Sequence, residues 1–154
     1  MFASFLLAEQ RAFTPNEGVS PADAIAGMEA VPVRLLLVED SDPLRWLFAR
    51  VLKRNGFTVH EAADGQAALD SLAGFEPQLI VTDMMMPVMD GIELIHRLRA
   101  MPSLAAVPMV VITASASPEH ESKARAAGAA DFIAKPVDGE TLVRRLAAYS
   151  LAGE

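Results

Sequence analysis

From Val33 onward the chain alternates short apolar runs with stretches of helical periodicity, and few folds accommodate that alternation. Arg34-Leu35-Leu36-Leu37-Val38, Leu79-Ile80-Val81 and Pro108-Met109-Val110-Val111-Ile112 are close to continuously apolar, the pattern of strands covered on both faces. Phe57-Thr58-Val59-His60-Glu61 alternates and reads as a weaker strand, and Ala130-Asp131-Phe132-Ile133-Ala134 supplies a fifth. The helical stretches between them give five βα units and a parallel sheet. The first helix is capped by Ser41 or Asp42, carries Pro43 in its first turn and ends near Asn55-Gly56. The second runs from Asp64-Gly65 to about Leu72. The third spans Gly91 to Ala100, offers Ile92, Leu94, Ile95 and Leu98 to the core, and is closed by Pro102. The fourth has Pro118 in its first turn and stops at Gly128; the fifth is capped by Asp138 and turns Leu142, Val143 and Leu146 inward.

The strand ends carry the chemistry. In open α/β sheets ligands bind in the crevice beyond the carboxyl ends of the strands. Here the apolar runs end in Glu39-Asp40, Asp83, Thr113 and Lys135-Pro136. Taken singly, each has an ordinary explanation: an acidic pair ahead of Pro43 caps a helix, an aspartate makes a turn, and a lysine snorkels at the surface. Taken together they do not. If the first and third strands are neighbours, Glu39, Asp40 and Asp83 share one sheet edge, and such a cluster is costly unless a cation joins it. Hard oxygen ligands suit Mg2+, which keeps several waters and is held by one or two carboxylates together with phosphate oxygens. Lys135 can bring an ammonium over the same crevice and neutralise charge on a carboxylate or a phosphoryl group.

Composition narrows the function classes. At 154 residues and 52% hydrophobic the chain buries one core, so the expectation is one domain, residues 33–154, with an N-terminal extension, residues 1–32, of short helices or partly disordered chain. The formal net charge is −7 and the basic residues occur singly or in pairs, which gives no stripe for a phosphate backbone and argues against nucleic acid as a direct partner. There is no cysteine, which excludes a disulfide framework and fits a reducing cytoplasm. The N-terminus lacks a basic segment and its apolar stretch is too short for a signal peptide or a membrane span, so a soluble cytoplasmic protein without membrane insertion is expected.

Leu36-Leu37-Val38-Glu39-Asp40-Ser41-Asp42-Pro43, Val81-Thr82-Asp83-Met84-Met85-Met86-Pro87-Val88-Met89-Asp90-Gly91, Ile112-Thr113-Ala114 and Phe132-Ile133-Ala134-Lys135-Pro136 resemble the receiver domain of bacterial two-component response regulators. The resemblance runs from about Val33 to Leu151. It implies a CheY-like, flavodoxin-like (βα)5 three-layer sandwich with strand order 2-1-3-4-5. It further implies that Asp83 accepts a phosphoryl group from a sensor histidine kinase or a phosphotransfer protein, and that Asp40, Asp83 and the backbone carbonyl of Met85 hold Mg2+, with Glu39 joining directly or through water. By the same resemblance Lys135 and Thr113 assist the transfer, and Thr113 with Phe132 forms the switch that alters the surface of the fourth helix, fifth strand and fifth helix for a downstream protein target. Phenylalanine at 132 lacks the hydroxyl a tyrosine would bring there. Met85 and Ser115 stand at the positions that tune phosphoryl lifetime, and an apolar Met85, which makes no hydrogen bond to an attacking water, implies hydrolysis that is not especially fast. The expected protein is therefore a single-domain phosphoacceptor rather than an enzyme with an external substrate; a receiver excised from a hybrid kinase or longer regulator, or a non-phosphorylated docking module, is the alternative.

A haloacid-dehalogenase-like phosphatase also uses a strand-end Asp with Mg2+, Thr and Lys, but it needs a second Asp where this chain has Met85. P-loop and dinucleotide fingerprints are absent. Of the methionines, Met84 and Met86 are expected to pack partly inside while Met85 and Met89 line the loop. His60, His96 and His120 fall on separate elements with no shared ligand spacing. Phe2, Phe5, Leu6 and Phe13 give the N-terminal extension a means of packing onto the receiver or onto a second copy, which leaves a homodimer open, while Met28 reads as a natural start that would make the preceding residues a mis-assigned one.

Overall fold

The computed structural model describes residues 31–152, and the expectations for residues 1–30 lie outside the described residues. Five parallel strands form one sheet in the order β2-β1-β3-β4-β5. They are β1 (Arg34–Val38), β2 (Thr58–Ala62), β3 (Leu79–Asp83), β4 (Met109–Thr113) and β5 (Asp131–Ala134). The helices are α1 (Asp42–Arg54), α2 (Gly65–Ser71), α3 (Gly91–Arg99), α4 (Pro118–Ala127) and α5 (Gly139–Ala152), with a short 3-10 turn at Pro102–Leu104.

Side chains alternate across the pleat, so each strand feeds both helical layers. On one face Leu36, Val38, Ile80, Met109 and Val111 pack with Leu94, Ile95 and Leu98 of α3 and Ala124 and Ala127 of α4. On the other, Leu35, Leu37, Val81, Val110 and Ile133 pack with Phe48, Ala49 and Leu52 of α1 and Leu142 and Leu146 of α5. β3 and β4 are buried throughout, as their apolar runs require, and the edge strand β2 is largely exposed. This is the flavodoxin-like sandwich that the family resemblance implies.

The departures are local. Ser41, not Asp42, caps α1: its hydroxyl accepts the Leu44 N–H at 3.4 Å. The second strand starts one residue later than its apolar pattern suggests. Gly56 takes φ of 95°, its N–H bonds the Lys53 carbonyl at 3.2 Å, and the Phe57 N–H bonds the Leu52 carbonyl at 3.1 Å. That double closure commits Phe57 to ending α1 rather than to the ladder. The 3-10 turn after α3 was not expected. Arg99 organises it: its guanidinium donates to the carbonyls of Leu104, Ala105 and Val107, and to that of Gly128 at 2.7 Å, tying the ends of α3 and α4 together. At the amino end of β5, Arg145 grips Asp131 with bonds of 2.7 and 2.8 Å, and the Tyr149 hydroxyl donates to the Ala130 carbonyl at 3.1 Å.

Candidate functional site

Strand register assembles the site. Val38 lies opposite Thr82, so the next residues, Glu39 and Asp83, stand side by side where β1 and β3 end. Asp83 pairs with Ile112 and Thr113 with Ala134, which brings Thr113 and Lys135 to the same edge. Backbone bonds fix the strand exits: the Glu39 N–H reaches the Ala62 carbonyl at 3.1 Å, and the Lys135 N–H reaches the Thr113 carbonyl at 2.8 Å.

The charges converge. The Lys135 ammonium donates to Glu39 Oε1 at 2.7 Å and to Asp83 Oδ2 at 3.0 Å. Glu39 Oε2 accepts the Ser41 N–H at 3.0 Å, and Asp83 Oδ1 accepts the Met85 N–H at 3.2 Å. Glu39 is 1% exposed and Asp83 7%, whereas Asp40 faces solvent. One carboxylate oxygen from each of Glu39, Asp40 and Asp83 lies within 4.8 Å of the others. Burial, reinforced by the Asp83 charge, raises the Glu39 pKa above the usual carboxylate value, although Lys135 and the Ser41 N–H pull it down. For Lys135 burial lowers the pKa, but its bonds to Glu39 and Asp83 outweigh this and hold it above the ordinary lysine value.

Three carboxylates against one ammonium leave two uncompensated negative charges in a partly dry pocket, and every free donor is a hard oxygen. That donor set fits a small divalent cation.

The turn from Met84 to Asp90 is held tightly. The Gly91 N–H bonds the Met84 carbonyl at 2.8 Å, and a Cβ at Gly91 would sit 2.3 Å from the Asp83 carbonyl oxygen. Met84, Met86 and Met89 are all buried, which corrects the expectation that Met89 lines the loop: its side chain packs on Gly65 of α2, where a Cβ would stand 2.7 Å from the Met89 sulfur. Met85 is 54% exposed. Val88 is fully exposed at φ of 71°, inside a γ-turn closed by the Met89 N–H on the Pro87 carbonyl at 2.8 Å. A β-branched residue is strained there. Val88→Gly is expected to stabilise the fold by about 1 kcal/mol, seen as a higher thermal midpoint; a lower midpoint would show that the turn is not strained.

Thr113 is fully buried and its Oγ1 accepts the Ser115 N–H at 3.1 Å. Phe132 is 9% exposed, packed in the layer under α3 and α4, and forms part of a groove with Ala116, Ser117, Pro118, Glu121 and Ala134. The structure thus brings Glu39, Asp40, Asp83 and Lys135 into one pocket and sets Thr113 at the end of the next strand, β4, with Phe132 the second residue of β5, paired with Val111. Sequence reasoning did not find the role of Gly91 against Asp83, for which Asp90-Gly91 at a helix start was the available signal. It also missed His120, which bonds the β4–α4 loop and has no signature beyond its place in the first turn after Ser117-Pro118.

A profile of the response regulator receiver domain matches residues 35–147. The chain belongs to that family. It is 38% identical over 118 residues to the response regulator MprA of Mycolicibacterium vanbaalenii, covering 77% of this chain and 50% of MprA, so the chain spans about half the length of that relative. Among solved structures, Vibrio cholerae chemotaxis protein CheY4 superposes with a TM-score of 0.74 at 31% identity, covering 77% of this receiver and 98% of CheY4. The receiver domain of the Pseudomonas aeruginosa sensor histidine kinase PA1611, described with magnesium coordinated in its active-site cleft, gives 0.70 at 30% identity, covering 77% and 97%. Among the described residues of this receiver, no helix is long and apolar enough to cross a membrane.

Proposed function

We propose that this receiver is a Mg2+-dependent phosphoacceptor that takes a phosphoryl group onto Asp83 from the phosphohistidine of a sensor histidine kinase or phosphotransfer protein. The observation that carries the reading is the single pocket in which Asp83, the Glu39-Asp40 pair and Lys135 meet at the carboxyl edge of the sheet. Asp40, Asp83 and the Met85 carbonyl would hold the cation, with Glu39 directly or through water, and the cation would supply charge neutralisation between two anions. The magnesium described for the PA1611 receiver supports this assignment.

An Asp83 carboxylate oxygen forms a bond to phosphorus as the phosphorus–nitrogen bond of the donor breaks, its electron pair returning to the imidazole. Lys135, already on Asp83 Oδ2, is placed to balance charge on the acyl phosphate. The Thr113 hydroxyl turns toward the new group, and Phe132 and the α4-β5-α5 surface report the change to a downstream protein. The same site would serve a stand-alone receiver. The half-length match to MprA favours a second reading, a receiver module of a longer regulator, which would use the same site.

Borohydride reduction of the protein after incubation with acetyl phosphate and Mg2+ tests the acceptor: an acyl phosphate at residue 83 is expected to be trapped there as the alcohol, and trapping elsewhere would refute the assignment. Met85 flanks the acceptor with an exposed apolar side chain. Met85→Asn offers an amide to an attacking water, and decay of the phosphorylated form is expected to quicken about tenfold, the worth of one hydrogen bond; an unchanged decay rate would remove Met85 from lifetime control.

A further inference from the structure

We propose that His120 is a positioning residue that ties the Thr113 hydroxyl to the first turn of α4, by way of Ser115. This rests on the reading of Thr113 as the group that answers the phosphoryl on Asp83. The link is a continuous chain of hydrogen bonds. Thr113 Oγ1 accepts the Ser115 N–H at 3.1 Å, and the carbonyl of the same Ser115 is bonded by His120 Nδ1. The His120 N–H in turn donates to the Ser117 hydroxyl oxygen at 3.1 Å, and the Glu121 N–H to the Ser117 carbonyl at 2.9 Å. The exposed loop from Ala114 to Ala116 is thereby held at its middle residue, Ser115, by a buried hydroxyl on the N–H side and by a ring on α4 on the carbonyl side.

A carbonyl only accepts, so His120 must carry its proton on Nδ1, and Ser115 cannot follow its acceptor without drawing on that ring. When the Thr113 oxygen moves to donate to a phosphoryl oxygen, the Ser115 N–H moves with it or loses its partner. Because imidazole is planar and has only two side-chain torsions, displacement of the Ser115 carbonyl passes to the helix rather than being absorbed. Ser117, Pro118 and Glu121, the residues that receive it, frame the groove that Phe132 borders. Without the ring, the loop between Thr113 and α4 could shift while α4 stays where it is.

The substitutions separate coupling from folding. In His120→Asn the amide nitrogen sits on Cγ, as Nδ1 does, and keeps a donor in place; His120→Ala removes it. The readout is the amide NMR shift of Glu119 to Lys123 on phosphorylation with acetyl phosphate and Mg2+, with intact mass followed on the same samples. His120→Ala is expected to gain the phosphoryl group as the wild type does while most of its α4 shift change is lost, and His120→Asn is expected to restore it. Full α4 shifts in His120→Ala, or an Asn variant as impaired as Ala, would overturn the link. If the wild type itself gains no mass, the acceptor reading fails on its own, and the link is read from Thr113→Val instead. That change is expected to shift the α4 amides in the wild-type background and not beside His120→Ala; equal shifts in both backgrounds would overturn it.

Discussion

Gly91→Ala is expected to destabilise the receiver by about 3 kcal/mol and to slow phosphoryl uptake by about 100-fold. The added Cβ would lie 2.3 Å from the Asp83 carbonyl oxygen, 3.1 Å from its carbonyl carbon and 3.0 Å from Met84 Cα. These are backbone atoms, so no rotamer change relieves the contact. The chain must move instead, and it moves at the proposed acceptor, whose carboxylate would have to be aligned for in-line transfer. The Gly91 N–H bond to the Met84 carbonyl is strained in the same displacement. Gly74→Ala serves as the control, since a Cβ there meets nothing within 4 Å, and it is expected to stay within about 0.5 kcal/mol of the wild type. Urea unfolding and initial rates with acetyl phosphate measure both effects. A Gly91→Ala protein as stable and as reactive as the Gly74→Ala control would mean that the turn does not position Asp83.

Lys135→Met is expected to lose about 3 kcal/mol of stability at neutral pH without Mg2+, and phosphoryl uptake is expected to fall about 100-fold or more. Removing the ammonium leaves Glu39, at 1% exposure, and Asp83 as buried charges with their direct counter-ion gone. The loss depends on pH in a definite sense. The folded-state pKa of Glu39 is raised, by burial first and then by the Asp83 charge. The folded protein therefore holds this proton more tightly than the unfolded chain does. Such a group contributes stability that is complete below the unfolded value and is lost as pH rises through the folded one. Without Lys135, which now pulls that pKa down, the folded value moves further up, so the variant's penalty grows from mildly acidic to neutral pH. Adding Mg2+ at neutral pH is expected to recover part of the loss, because a ligand that binds only the folded state stabilises it. Denaturation midpoints at mildly acidic and neutral pH, with and without Mg2+, measure this; a penalty that shrinks as pH rises would contradict the electrostatic account.

How much of this was legible in the sequence follows from which interactions are local. β1, β3 and β4 are buried on both faces, so their runs of leucine, isoleucine and valine announce them, and the parallel topology follows from the helices between. The pocket was legible because each member ends a strand and the fold brings strand ends together. Contacts set by tertiary packing were not legible. Phe57 looks like a strand residue but closes α1; Met89 looks like a loop residue but fills a gap against Gly65. Arg99 reads as a surface cation at a helix end, yet it gathers carbonyls from segments distant in sequence. His120 has no partner spacing to mark it, because what it bonds is a backbone carbonyl, and backbone groups leave no trace in a sequence.

The most direct measurement is intact mass after incubation with acetyl phosphate, taken for the wild type with Mg2+, the wild type with EDTA, and Asp83→Asn with Mg2+. The account predicts the gain of one phosphoryl group in the first sample alone. A gain that survives EDTA, one that persists in Asp83→Asn, or no gain in the wild type with Mg2+ would contradict it.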